Sequence, residues 1–215
     1  MNTPSSIKAI ALATLLSLSA AHGFAAELIH TEVASPSLIG SNALDSSDWM
    51  AEQFSVAAPT QIDSVLAYVL SNDSSNDLGK TFSIALYAND GTLPALDWWA
   101  DSQGQLFHAT ATYNGDGWNG VSGLNWHLDA GSYWLALEQH GDATDAMSLQ
   151  LPTGATPAVD SVAFYSGGMS YTVASQSDAF GLKINTVAAV PEPSSTALVL
   201  SSLGILGLVV RRRSR

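Results

Sequence analysis

Thr81-Phe82-Ser83-Ile84-Ala85-Leu86-Tyr87 and Ser132-Tyr133-Trp134-Leu135-Ala136-Leu137-Glu138 decide the fold class. In the first stretch Phe82, Ile84 and Leu86 occupy every second position. In the second, Tyr133, Leu135 and Leu137 do the same. Successive side chains of a strand point to opposite faces, so this spacing lines each trio along one face. Phe180, Leu182 and Ile184 form a third such set. Working outward, further candidate strands are 27–33, 49–56, 62–70, 105–113, 121–128, 146–151 and 161–166. No amphipathic helical pattern of ten residues or more runs between Glu27 and Asn185.

Turn residues separate the candidates. Asn89-Asp90-Gly91 and Asn114-Gly115-Asp116-Gly117 read as hairpin-like or loop turns. Asp129-Ala130-Gly131 precedes the Tyr133 strand, and Ser71 to Gly79 reads as a polar loop. Many short strands with regular turns predict an all-β domain, a β-sandwich or jelly roll, over residues 27–185. A domain of that size buries a sufficient core without disulfides, and the chain has no Cys.

Composition narrows the function. The 215 residues are 47% hydrophobic and 12% charged, with a net charge of −12. That is too apolar for a disordered chain. The acidic balance argues against nucleic acid as a partner, because phosphate binding needs a basic face. Lack of Cys excludes thiol nucleophiles and Cys-ligated zinc. The charges are also unevenly placed. Lys8 lies near the start, and Arg211, Arg212, Arg213 and Arg215 lie at the end. Residues 27–190 hold two basic and eighteen acidic side chains, a net charge of −16.

The two ends are apolar. At the start, Lys8 precedes the run Ala9 to Leu18, and small residues follow. A buried N-terminal helix is the alternative, but the charge order and small residues fit a secretory signal peptide over 1–26. Cleavage is expected between Ala21 and Ala26, and Gly23-Phe24-Ala25 is one acceptable site. At the other end, Ser194 to Val210 carries no charge. A helix of that length spans roughly 25 Å, and Arg211 extends its reach by snorkelling. We read 194–210 as one transmembrane helix. Arg211, Arg212 and Arg213, within the 211–215 tail, hold the C-terminus in the cytoplasm. Residues 27–190 are then outside.

Between the domain and this helix, 186–193 form a short linker ending in Pro191-Glu192-Pro193. Both prolines lack an N–H and disfavour helix in the residue before them, so the peptide is expected to be extended. A stiff linker would look the same. The order Pro-Glu-Pro, apolar helix, Arg cluster resembles the PEP-CTERM sorting signal. The resemblance covers 190–215. It implies an exported protein of Gram-negative type, processed by exosortase, a membrane-embedded cysteine protease-like enzyme. It also implies passage through the inner membrane to the cell surface or extracellular matrix, and association with exopolysaccharide and biofilm. Leu128 to Leu135 looks like a short segment common in exported β-sandwich domains of sorting-signal proteins.

Little in the domain reads as catalytic. HExxH, GxSxG and phosphate-binding Gly loops are absent. Paired carboxylates such as Asp97 and Asp101 are expected by chance among eighteen acids. Asn72, Asp73, Asn76 and Asp77 suggest a calcium loop, but Gly79 is displaced and Ile84 stands where the EF-hand needs Glu. We expect no catalytic residue, no metal site and no cofactor. Six Trp remain: Trp49, Trp98, Trp99, Trp118, Trp126 and Trp134. Most are expected to fill the core. Trp98 and Trp99 are adjacent, so only one of them can. Trp118, beside Gly115, Gly117 and Gly120, is expected in a loop and is the candidate carbohydrate contact. The expectation is therefore a non-enzymatic surface or matrix protein. A carbohydrate-binding module is the alternative, and a secreted hydrolase the third reading.

Overall fold

The computed structural model describes residues 26–89, 91, 93–94, 105–139, 145–146, 148–167 and 170–187. The proposed signal peptide up to residue 25, the Pro191-Glu192-Pro193 motif, the 194–210 helix, the arginine tail, Trp98, Trp99, Asp97 and Asp101 lie outside them. Ala26–Val187 forms one compact unit. Among the described residues no helix is long and apolar enough to cross a membrane.

The described strands are β1 (Glu27–Thr31), β2 (Ser41–Leu44), β3 (Asp48–Val56), β4 (Thr60–Ser71), β5 (Thr81–Ala88) and β6 (Gln105–Thr112). They continue with β7 (Gly117–Leu128), β8 (Gly131–Glu138), β9 (Leu149–Pro152), β10 (Ser161–Ser166), β11 (Thr172–Val173) and β12 (Leu182–Thr186). They form two antiparallel six-stranded sheets. The first has the order β1-β12-β4-β9-β2, with β7 also paired to β4. The second has the order β11-β10-β3-β8-β5-β6. From β2 onward nearly every connection carries the chain to the other sheet; only β5–β6 and β10–β11 stay within one. Buried residues from both sheets make a single hydrophobic cluster.

The period-2 trios lie as their spacing requires. Ile84 pairs with Leu137 and Leu86 with Leu135 across β5 and β8. Cross-strand partners share a face, so the apolar sets of two strands merge. The alternate positions are buried as well. Trp134, Ala136 and Glu138 on β8, and Ser83, Ala85 and Tyr87 on β5, are all at most 8% exposed. The second sheet is covered on both faces there.

Of the two turn forms expected, the loop form is the one present. Asn89 follows β5, but its hairpin partner β6 begins only at Gln105, so Asn89-Asp90-Gly91 is no tight hairpin turn. Asn114–Gly117 and Asp129–Gly131 join strands of different sheets. Within Ser71–Gly79, Ser71 ends β4 and Ser74–Asp77 form a single helical turn. The β4–β7 pairing slips between Ile62 and Ser64, opposite Ser122 and Trp126. The extra residues of β7 include Gly123 (φ 73°) and Asn125 (φ 57°), residue types that tolerate the left-handed region. β4 has its own extra residue against β12, where Thr186 pairs with Ile62 and Asn185 with Ser64, and Ile62 and Val65 are both fully buried although they are three apart.

Candidate functional site

Trp118 lies in β7, not in a loop. The glycines around it resemble turn residues in sequence, but Gly117 opens the strand and Gly120 lies within it. Gly120 is where two backbones meet closely. A methyl built there would stand 2.0 Å from the Val65 carbonyl oxygen. Trp118 pairs with Tyr68 on β4. On β4, Val65, Ala67 and Val69 are fully buried, whereas Leu66 and Tyr68 are half-buried. Tyr68 and Trp118 therefore stand on the outer face of the first sheet.

Several side chains converge there. The Trp118 ring meets Tyr68 edge-on, with centroids 5.4 Å apart and planes at 88°. His30 on β1 makes a second edge contact at 6.1 Å. Lys183 on β12 holds its Nζ 4.1 Å from the Trp118 centroid. His30 and Lys183 are cross-strand partners, which is why both reach the same ring. Gly181 makes the space: a methyl there would stand 2.8 Å from Tyr68 Cβ and 3.4 Å from Trp118 Cη2. Lys183 makes no ion pair among the described residues. His30 Nδ1 lies 3.2 Å from Glu27 Oε1. His30 Nε2 is shielded from solvent and lies 3.9 Å from Glu32 Oε2, too far for a hydrogen bond.

The other described Trp are core. Trp134 is fully buried, and Trp49 and Trp126 are 5% exposed. Trp49 stacks on Tyr165 at 4.4 Å and donates Nε1–H to the Gln139 carbonyl at 2.8 Å. Trp126 stacks on Phe107, 11° from parallel.

The acidic loop is tied up internally. Asp77 is fully buried, and its Oδ2 accepts from Ser71 Oγ at 2.7 Å. Asp73 Oδ1 accepts from Ser75 Oγ, and the Asp73 carbonyl accepts from the Asn76 and Asp77 amides. Among the described residues no three His, Asp or Glu side chains are placed to hold a metal. Asp116 Oδ1 accepts from the Ser71 amide and from Tyr113 Oη. Burial and that carboxylate push the Tyr113 hydroxyl well above its usual range.

Two buried carboxyls escaped the sequence reading, because alternation gives the face of a residue but not the depth of that face. Glu52 on β3 is fully buried between the sheets. Its Oε1 accepts from the Phe180 amide at 2.6 Å, while Oε2 has no hydrogen-bond partner among the described residues. Burial pushes its pKa up to about 8, so it is neutral at pH 7. Glu138 lies at the end of β8, where its Oε1 accepts from Tyr87 Oη at 2.8 Å and Tyr171 Oη at 3.0 Å. Burial, then the Glu138 charge, raises both tyrosines far above the ordinary range.

Nucleophile geometry is thin. His108 Nε2 lies 3.2 Å from Ser83 Oγ. Ser83 is in mid-strand, paired on both sides to β6 and β8, so the nearby N–H groups serve the ladder rather than an oxyanion. Among the described residues, a cleft of about 270 Å³ between β1, β3 and residues 157–160 contains one carboxylate, Asp160. That side chain accepts from Ser55 Oγ at 2.7 Å. A second cleft, about 390 Å³, contains Asp178, which is engaged by the Ser175 amide. Among the described residues neither cleft is lined by the paired carboxylates of glycoside hydrolysis.

No curated protein sequence matches the chain. Residues 189–213 match the PEP-CTERM protein-sorting motif. The match begins two residues after the compact unit ends at Val187. The chain thus carries a PEP-CTERM sorting signal behind a domain of two antiparallel sheets, and that signal implies an exported protein sorted to the cell envelope or surface by exosortase.

Proposed function

We propose that this is a non-enzymatic component of the cell surface or extracellular matrix, with the two-sheet unit, a sandwich of jelly-roll type, as its working part. The carrying observation is the sorting motif starting directly after that unit. The chain enters the inner membrane transiently through 194–210, with Arg211, Arg212 and Arg213 inside, since moving such charges through hydrocarbon costs several kcal/mol each. Exosortase then acts near Pro191-Glu192-Pro193, and the released protein joins exopolysaccharide or biofilm. Glu192 is the one charge between Lys183 and Arg211, which makes it the specificity contact. The test is replacement of Pro191 and Glu192 by Ala in a host that carries exosortase, followed by fractionation and mass spectrometry. The expected result is export with an uncleaved, membrane-bound form accumulating. Normal processing would overturn the assignment.

The second reading, carbohydrate binding, is favoured by the aromatic group on the outer face of the first sheet. Trp118 and Tyr68 stand on a solvent-facing surface, and an aromatic ring offers an apolar face to sugar C–H groups. The two rings are perpendicular, so a single ring rather than a flat platform makes the contact.

A further inference from the structure

We propose that the end of the first sheet bearing Trp118 is a recognition surface for a neutral polysaccharide. Trp118 is the stacking ring, and Tyr68, Lys183 and His30 are the partners of sugar hydroxyls. This inference rests on the carbohydrate reading above and adds the place, the partners and the ligand class.

The place follows from how the chain leaves the domain. The Thr186 amide and Oγ1 both donate to the Ala26 carbonyl, at 2.9 and 3.0 Å, and the Val187 amide donates to the Gln61 carbonyl. Both ends of the unit therefore exit at one end of the sheet. Lys183 is four residues back along β12, roughly 13 Å at strand rise. Trp118 pairs with Tyr68, whereas the exit end of β4 pairs with the far end of β7, Thr60 with Leu128. The aromatic group is thus at the opposite end of the sheet from both attachments.

The partners follow from unused hydrogen-bonding capacity. Lys183 makes no ion pair among the described residues, although the surrounding domain holds eighteen acids. Its ammonium is held by the Trp118 ring instead. An exposed cation–π contact is weak, so a pyranose displaces the ammonium sideways and offers it hydroxyl oxygens. His30 Nε2 is closed off from water and has no hydrogen bond among the described residues. A buried polar atom left unpaired is costly, and a ligand hydroxyl reached by a small ring rotation would relieve that cost.

The ligand class follows from charge. Glu27 and Glu32, the two carboxylates that face the His30 ring nitrogens, are exposed. The unit as a whole carries −16. A polyanion meets repulsion both at the site and on approach. A neutral glycan meets neither.

The test uses the protein expressed from its complete sequence in an exosortase-bearing host and recovered, as processed there, after export. The probes are the neutral and acidic fractions of that host's extracellular polysaccharide, separated by anion exchange. Native-gel retardation is measured against each. The wild type is expected to be retarded by the neutral fraction with little dependence on salt. Trp118→Ala is expected to weaken retention by about tenfold, in the range of a lost aromatic contact. Trp118→Phe should restore most of it, and a melting curve confirms that each variant is folded. Lys183→Gln, which keeps donors, should bind several-fold better than Lys183→Glu. Undiminished retention of folded Trp118→Ala would overturn the placement while leaving the carbohydrate reading standing. Stronger, salt-sensitive retention by the acidic fraction would overturn the ligand class. No retention of wild type by either fraction would overturn the carbohydrate reading and this inference with it.

Discussion

The two sheets use the same kind of strand for different purposes. In the second sheet, β8 buries all six residues from Tyr133 to Glu138, whichever face they are on. In the first, β7 buries only Asn119, Trp126 and Leu128 of its twelve residues. The same contrast separates two tryptophans. Trp134 is fully buried, with its Nε1 unpaired. Trp118 is half-buried and touches Tyr68, His30 and Lys183. A sheet buried on both faces is a structural wall, and its polar groups are constraints on stability. A sheet with one face open keeps side chains that a partner can reach.

Glu52, on the inner side of the second sheet, gives the sharpest test of the wall. Its pKa is raised from 4.5 to about 8 by burial, with the Phe180 amide opposing only in part. The unfolded chain releases this proton near pH 4.5, and the folded chain keeps it until about pH 8. The native state therefore binds more protons across that window, and stability falls as pH rises through it. Below the window the contribution is complete, and above it the loss is complete. At about 1.36 kcal/mol per pH unit the loss amounts to roughly 5 kcal/mol. Glu52→Gln should flatten this dependence in urea unfolding measured from pH 4 to 9, and should unfold later than wild type at pH 8.5. A wild type as stable at pH 8.5 as at pH 4.5 would show that Glu52 reaches water or a partner.

The next effect in size compares the two tryptophans directly. Trp134→Ala should cost about 3–5 kcal/mol, the range for large-to-small changes in a closed core. Trp118→Ala should cost about 1 kcal/mol, because its site is half open and collapses onto water. Trp134→Phe should cost less than its volume suggests, since it also removes an unpaired buried donor. Chemical denaturation of the three variants measures this ordering. Equal losses for the two alanine variants would erase the distinction between wall and open face.

How much of this was legible in the sequence depends on range. The trios Phe82-Ile84-Leu86 and Tyr133-Leu135-Leu137 announced strands, because alternation is local and each residue reports its own face. The second buried face of β5 and β8 was not visible. Ser83, Ala85 and Glu138 are small or polar, and only the side chains packed over them make them core. Glu52 hid for the same reason: next to Ala51 and Gln53 it looks like a solvent position. β2, reading Ser41-Asn42-Ala43-Leu44, carries no alternation and is a strand only because β9 is beside it. Gly115, Gly117 and Gly120 look like turn residues, so the sequence alone points to a loop for Trp118. In fact Gly115 and Gly117 shape the entry to β7, and Gly120 admits the β4 backbone.

A smaller effect distinguishes the two tyrosines that share Glu138. Tyr87→Phe and Tyr171→Phe each remove one hydrogen bond to a buried carboxylate, expected to cost about 1.5–3 kcal/mol at most because the other donor remains. The double variant should cost more than the sum, since it leaves Oε1 without either hydroxyl. A double-mutant cycle by urea unfolding reads the coupling. Strict additivity would mean that Glu138 is held mainly by other contacts.

The smallest expected effect belongs to the open face, and it separates packing from attraction there. Lys183 Nζ stands over Trp118 in a partly exposed site, where a cation–π contact is worth about 0.5–1 kcal/mol. Lys183→Met keeps most of the apolar stem and removes the charge. It should therefore lose only that amount, and Trp118→Leu should lose little more once Lys183 is Met. Gly181→Ala acts on the same group from below. Its methyl would stand 2.8 Å from Tyr68 Cβ, so Tyr68 and the Trp118 ring must both move. If the Trp118 ring is held chiefly by packing, Gly181→Ala should lower the melting temperature more than Lys183→Met does and blue-shift nothing in the buried Trp signal. If the cation holds it, the order reverses. Thermal melts with Trp fluorescence, carried out with Trp118→Phe as the reference for that residue's share of the emission, decide between the two.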